Sequence, residues 1–302
     1  MDKENMRYES AAAVLPGSLR RAILALPTEK RGQVEEVRLR AGQELTVLMS
    51  GREFGCGVTV EQEDLEALCN LVTEFSRYAA VETLRQGYLT IRGGCRVGFC
   101  GTAVIKDGAV MNMKEFSSAV IRIAREKHGI AEGLAERLFR DGWFVNTLIL
   151  APPGGGKTTL LRELVRCLSN GCNGNEGQRV ALVDERGELA AVRQGVLQMD
   201  VGKRTDVLDG CPKAVAIPMM LRCMNPQILA VDEITLREDI QAMTMAANCG
   251  VGLLATIHAA DAAELLRKPL YRELLAAEVF RLAVVIQEEK GARSWRLEEL
   301  LC

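Results

Sequence analysis

The sequence predicts a chain in two parts: a smaller α+β domain over 1–140, then an α/β domain over 141–302 built on a parallel sheet. Two observations set this division. To about residue 140, short apolar–polar alternations broken by glycine turns surround one stretch of helical period. After Trp143, the short apolar runs TLILA, VALVDE, ILAVDE and VGLLATIH alternate with helical segments. Continuous runs of that kind mark strands buried on both faces, and their alternation with helices marks a covered parallel sheet.

Taken in order, VEEVRLRAGQELTVLMSG alternates through Val37 and Leu39, then Leu45 and Val47, which predicts strand, turn at Ala41-Gly42, strand. In TVEQEDLEALCNLVTEF, Leu65, Leu68, Cys69, Val72 and Phe75 share a helical face, and Thr59 with Gln62 has the spacing of a capping box. GYLTIRGGCRVGFCGTAV reads as a hairpin turning at Gly93-Gly94. SSAVIRIA is a further strand, and GIAEGLAERLFRDG a short helix leading into the second domain. There, TTLLRELVRCLSNG keeps helical spacing through Leu160, Leu161, Leu164, Val165 and Leu168. QMDVGKRTDVLDGCPKAVAIPMMLRCMNPQ reads as a loop followed by a Met-rich helix kinked near Pro218.

Composition removes several function classes. A net charge of −2 over 302 residues offers no bulk attraction to nucleic acid or anionic lipid, and 4% aromatics argues against base-stacking platforms. The ten cysteines contain no C-x-x-C, and the two histidines, His128 and His258, stand in unrelated contexts, so zinc spacing is absent. Most cysteines lie in apolar stretches, as reduced thiols of a cytoplasmic protein do. MDKENMRYES has no apolar signal core, and no run of about 18 apolar residues occurs, so no membrane span is expected.

The chemistry concentrates in APPGGGKTT, Ala151 to Thr159, between a buried strand and a helix. That context makes it a phosphate-binding loop. Pro153, Gly154, Gly155 and Gly156 bring bare backbone N–H groups to phosphate oxygens, and the helix start adds its free amides. Lys157 is expected to reach the β- and γ-phosphates, Thr158 to bind Mg²⁺, and Thr159 to donate to phosphate. The usual first glycine is here Ala151, which fits if its φ stays negative.

ILAVDEIT supplies the acids. Asp232 is expected in the Mg²⁺ shell and Glu233 as the general base for water, a pairing that favours an ATPase over a small-molecule kinase. VALVDERGE gives a second acidic strand end, Asp184-Glu185; an extra strand there suits ATPases of the RecA type, so Glu185 is a second candidate base. Its other reading is a helix N-cap by Asp184 with Glu185 in solvent. LLATIHAAD ends a strand with Thr256 and His258, where a polar side chain would sense the γ-phosphate. Lys203, Arg204 and Arg222 are candidate arginine fingers for a neighbouring subunit, or else parts of a solvated loop and a packed helix.

With these residues in view, the chain resembles the stage III sporulation protein AA family. The resemblance rests on VRLRAGQEL, GYLTIRGGCRVGFCGTAV, PPGGGKTTLLREL, VALVDERGE, QMDVGKRTDVLDGCPKA, ILAVDEI and LLATIHA. It implies a RecA-like P-loop domain similar to the traffic ATPases of type II and type IV secretion, using ATP and Mg²⁺. It also implies a homo-oligomeric ring, usually a hexamer, at the cytoplasmic face of a secretion-like complex between mother cell and forespore, docked on integral membrane proteins. Arginines from the N-terminal domain, here Arg38, Arg40 or Arg92, would approach the nucleotide. Two alternatives are a nucleic-acid-linked ATPase, against which the absence of a basic tail or binding module counts, and a nucleotide switch that does not turn over.

Overall fold

The computed structural model describes residues 3–74, 87–106, 108–172, 176–289 and 292–300. The chain divides into two compact units, Met1–Arg125 with Val192–Gln198, and Glu126–Ala191 with Met199–Cys302. The join falls at Arg125 rather than near 140, and the first unit takes in a short segment from far along the chain.

The first unit begins with helices α1 (Lys3–Ala13), α2 (Gly17–Leu24) and α3 (Thr28–Arg31). Strands β1 (Val34–Arg40), β2 (Glu44–Met49) and β3 (Arg52–Thr59) follow, then α4 (Gln62–Val72), β4 (Tyr88–Thr90), β5 (Arg96–Lys106) and β6 (Ala109–Arg122). The strands form an antiparallel sheet ordered β3-β2-β1-β6-β5-β4. Val37 and Leu39 on β1, and Leu45 and Val47 on β2, are fully buried, as the alternation requires. Tyr8 is buried among them and donates its hydroxyl to Ile23 O at 2.6 Å, so its polar tip is satisfied inside the apolar core.

Two expectations in this unit are corrected. Thr59 closes β3, and the box at the start of α4 is made by Glu61 and Asp64, with Glu61 N donating to Asp64 Oδ2 at 2.9 Å. Phe75 lies outside the described residues. The β4–β5 hairpin turns through a 3₁₀ turn over Arg92–Gly94 rather than a two-residue loop, with Thr90 paired to Arg96.

The second unit contains α5 (Glu132–Arg137), β7 (Phe139–Arg140), β8 (Trp143–Phe144), β9 (Thr147–Ala151) and α6 (Lys157–Asn170). Next come β10 (Val180–Asp184), β11 (Thr205–Asp209), α7 (Lys213–Met224), β12 (Ile228–Val231), α8 (Arg237–Asn248) and β13 (Gly252–His258). The short helices α9 (Ala262–Leu265) and α10 (Pro269–Ala276) precede β14 (Leu282–Glu289) and β15 (Ala292–Glu299). The main sheet is ordered β11-β10-β12-β13-β9-β14-β15, parallel except for β15. Every residue of β9, β10 and β12 is buried, the environment the continuous apolar runs foretold. α7 continues through Pro218.

This topology brings the carboxyl ends of β9, β12 and β13 to one edge, where open α/β sheets place their ligand sites. No helix among the described residues is long and apolar enough to cross a membrane.

Candidate functional site

The loop after β9 needs its glycines for stated reasons. Gly156, at the N-cap of α6, has φ +93°, a region that L side chains rarely adopt. A Cβ on Gly155 would lie 2.7 Å from Ala151 Cβ and 2.9 Å from Pro152 O, so a side chain there collides with the loop itself. Ala151 completes strand β9 and is not among the positive-φ residues, which is why a methyl group is accommodated there.

Lys157, only 6% exposed, turns back under the loop. Its Nζ donates to Ala151 O at 2.9 Å, Pro152 O at 3.1 Å and His258 Nδ1 at 2.5 Å. Burial lowers its pKa, and the nearby carboxylates Glu233 and Asp232 offset only part of that. With Nδ1 of His258 accepting, the ring proton sits on Nε2, which faces Glu233 Oε1 at 3.0 Å. Arg186 Nη1 reaches the other Glu233 oxygen at 3.5 Å. The result is a chain of contacts from Lys157 through His258 to Glu233 and Arg186.

Asp232 stands beside it. Thr256 donates to Asp232 Oδ1 at 2.8 Å, Glu233 N donates to the same oxygen at 3.0 Å, and Thr158 Oγ1 lies 3.5 Å from Oδ2. A hydroxyl and a carboxylate converging on the start of α6 are hard oxygen donors of the kind Mg²⁺ takes.

The second acidic strand end is built otherwise. Asp184 is 1% exposed and its carboxylate accepts N–H bonds from Glu188, Leu189, Ala190 and Ala191. These residues form a loop, not a helix, so Asp184 caps a turn of irregular chain. Desolvation raises its pKa although four hydrogen bonds pull it down. Arg162 braces the same loop from α6, donating to Leu189 O at 2.7 Å and Glu188 O at 2.5 Å. Glu185 pairs with Lys213 at the start of α7, and Lys213 also lies 4.0 Å from Asp239.

The structure therefore gathers Gly154, Gly155, Gly156, Lys157, Thr158, Asp232, Glu233, Thr256 and His258 at one sheet edge, with Glu185 on the neighbouring strand end. Lys203 and Arg204 precede β11, at the opposite edge of the same sheet. Lys203 N donates to Asn170 Oδ1, and Arg204 N to Ser169 Oγ. Arg222 is an exposed residue of α7. In the first unit, Arg38 and Arg40 both pair with Glu53, whose carboxyl Arg40 and Thr46 hold down to about 2. Arg92 opens the 3₁₀ turn. Sequence reasoning missed Arg293 on β15, whose Nη2 donates to Gly154 O at 3.1 Å. It also missed Arg186, although that residue directly follows the second Asp-Glu pair.

A glycine loop opening a helix at the carboxyl end of a central parallel strand, with acids from the strand beyond its neighbour, defines a P-loop α/β protein. The chain belongs to the family described as "Sporulation stage III, protein AA", whose model matches residues 5–296. It is 37% identical over 280 residues to the stage III sporulation protein AA of Bacillus subtilis (strain 168), covering 93% of this chain and 91% of that protein. Its fold is shared with the pilus retraction motor PilT, solved with bound ADP, at TM-score 0.61 and 15% identity over 93% of this chain and 81% of that one. It is shared likewise with the ATPase DotB of Yersinia pseudotuberculosis, at TM-score 0.60 and 13% identity, over 95% of this chain and 80% of that one.

Proposed function

We propose that the chain binds and hydrolyses ATP, and that it does so as a ring-forming motor energising a secretion-like complex during sporulation. The observation that carries the reading is the single cluster joining Lys157, Thr158, Asp232, Glu233 and His258 within hydrogen-bond reach at the mouth of the glycine loop. The family supplies the sporulation context. The shared fold of a pilus motor with bound ADP and a second ATPase supports the motor class.

The loop amides from Gly154 to Thr159 receive the phosphates, with Pro153 shaping their approach. Lys157 exchanges its carbonyl and His258 contacts for β- and γ-phosphate oxygens, which relieves a buried cation of its weakest partners. Thr158 and Asp232 would hold Mg²⁺, which would supply positive charge to offset that of the phosphates. Glu233 takes a proton from the water that attacks the γ-phosphorus, and the bond from phosphorus to the β-bridging oxygen breaks to give ADP and phosphate. His258, once Lys157 has moved to the phosphates, keeps Glu233 oriented and couples it to the occupant of the loop. Glu185, tied to Lys213, is the second candidate for the base. Lys203, Arg204 and Arg222 remain candidates to act on a neighbouring subunit's nucleotide, and Arg38, Arg40 and Arg92 candidates to approach the nucleotide from the N-terminal domain. The ring, at the cytoplasmic face of the mother-cell membrane, docks on integral membrane partners.

The test pairs ATP binding with phosphate release and light scattering. Wild-type protein with Mg²⁺ and ATP is expected to release phosphate and to gain mass in steps of one ring. Lys157→Ala is expected to lose most ATP affinity, and unchanged affinity would end the phosphate-loop reading. Phosphate release that appears only with single-stranded DNA or RNA would instead favour a nucleic-acid-linked ATPase.

A further inference from the structure

The hairpin of β14 and β15 outruns the sheet. β14 pairs with β9 only as far as Val285↔Leu150, whereas its pairing with β15 continues through Ile286↔Trp295 and Glu288↔Arg293. After Ala151, the next residue, the chain of β9 leaves the sheet and becomes the glycine loop, so the outer part of the hairpin runs beside that loop. Opposed residues on paired strands, and residues two apart on one strand, share a face. Ile286, Glu288, Arg293 and Trp295 therefore stand together, and they line a cavity of about 410 Å³.

The cavity has walls of two kinds. Gly155, Gly156 and Thr159 belong to the phosphate loop and the first turn of α6. Arg293 borders them, with Nη2 on Gly154 O at 3.1 Å and Nη1 3.0 Å from where a Cβ of Gly156 would be. Against these stand Ile130, Leu160, Ile286 and the indole of Trp295. The Arg137 guanidinium lies 5.4 Å from the centre of that ring and restrains it. An anion seat that shares Thr159 with an apolar, aromatic slot fits a molecule charged at one end and flat at the other. The volume lies in the range of about 300–1,000 Å³ common for small-molecule sites.

We infer that this cavity holds the base and ribose of the nucleotide whose phosphates occupy the loop, with Trp295 as the aromatic surface for the base and Arg293 at the border between the two halves. The inference rests on the phosphate-loop reading and adds what that reading lacks, a reason to take a nucleoside rather than any polyphosphate. It also gives the β14–β15 hairpin a task in the same subunit.

Calorimetry with ADP and with inorganic pyrophosphate, each with Mg²⁺, separates the two halves. Wild-type protein is expected to bind ADP at least about tenfold more tightly than pyrophosphate, and Trp295→Ala to lose about tenfold in ADP affinity, the scale of base–aromatic stacking, with pyrophosphate unchanged. A second measurement needs no change in the cavity. The chain has two tryptophans, so Trp143→Phe leaves Trp295 as the sole reporter. Its emission should shift on titration with ADP and stay constant with pyrophosphate. ADP binding that is indifferent to Trp295→Ala, equal loss of both ligands, or emission silent to saturating ADP would each overturn the slot while leaving the phosphate seat standing. Wild-type protein that binds neither ligand would overturn the seat, and the slot with it.

Discussion

Two neighbouring strands run out through the same tripeptide, Val183-Asp184-Glu185 and Val231-Asp232-Glu233, in direct register at Val183↔Val231. Their acids nevertheless live in opposite surroundings. Asp184 is sealed and spends its oxygens on the N–H groups of its own loop. Asp232 is half-buried and faces two hydroxyls, Thr158 and Thr256. Glu185 meets the cation of Lys213, while Glu233 meets His258 and Arg186. The strands are alike, and the difference arises in the segments that leave them. After Glu185 the chain turns at Gly187, φ +61°, and folds back over Asp184, whereas after Glu233 it proceeds to α8 and leaves Asp232 open towards the phosphate loop. A tripeptide sets an acid at a strand end, and the next few residues decide whether it is scaffold or chemistry.

The sharpest way to break this contrast is to neutralise each glutamate in turn. Glu233→Gln should keep ATP binding and lose about 100-fold or more in phosphate release, the lower end of general-base contributions. Glu185→Gln should stay within about threefold of wild type, because a group that takes no proton carries none of that factor. If the two results are exchanged in steady-state assays, the roles of the two strand ends exchange with them.

The aspartates are expected to show the reverse order in stability. Asp184→Ala removes the acceptor of four N–H groups in a buried loop, and an unsatisfied buried donor costs about 1–3 kcal/mol. Relaxation of the loop lets water reach some of them, so a loss of about 2 kcal/mol in urea unfolding is expected. Asp232→Ala, at a half-open site with hydroxyl partners, should cost about 1 kcal/mol or less. Equal losses would show that Asp232 is scaffold too.

How much of this was legible depended on how local the cause was. The strand–loop–helix around Lys157 and the two Asp-Glu strand ends are local patterns, and sequence reading located both. It assigned Asp232 to the metal but left Asp184 open between a second acidic strand end and a cap, because the four N–H groups that seal Asp184 come from a loop with no periodic signal. It named Thr256 for its place at a strand end without seeing its bond to Asp232, which needs the β12–β13 register. Arg293 was invisible for a stronger reason. ARSWRLEE alternates like a strand, but only the antiparallel return of β15 along β14 carries its guanidinium to Gly154, well over one hundred positions earlier. The capping box slipped from Thr59 to Glu61 because β3, a strand the sequence reading did not name, runs through Thr59. The capture of Val192–Gln198 by the first unit has no sequence signature; it shows in contacts such as Arg193 with Glu74.

The smallest expected effect tests the buried lysine that the open strand end serves. Burial lowers the Lys157 pKa below its ordinary value, so the folded protein gives up that proton at a lower pH than the unfolded chain. Between the depressed value and the ordinary lysine value of about 10.4, the unfolded state binds more protons, and stability therefore rises with pH across that window. Below the window the charged amine is a standing cost, relieved as pH rises. Lys157→Met removes the titration, so the unfolding free energy of wild type minus that of the variant should climb through this alkaline range, which also subtracts the tyrosines and cysteines common to both. Bound ADP should flatten the climb, because phosphate oxygens favour the charged amine and bring its pKa back up. A difference curve that falls with pH would mean that Glu233 and Asp232 outweigh burial at Lys157, and that the lysine is already fully paired by the acids of β12 before any phosphate arrives.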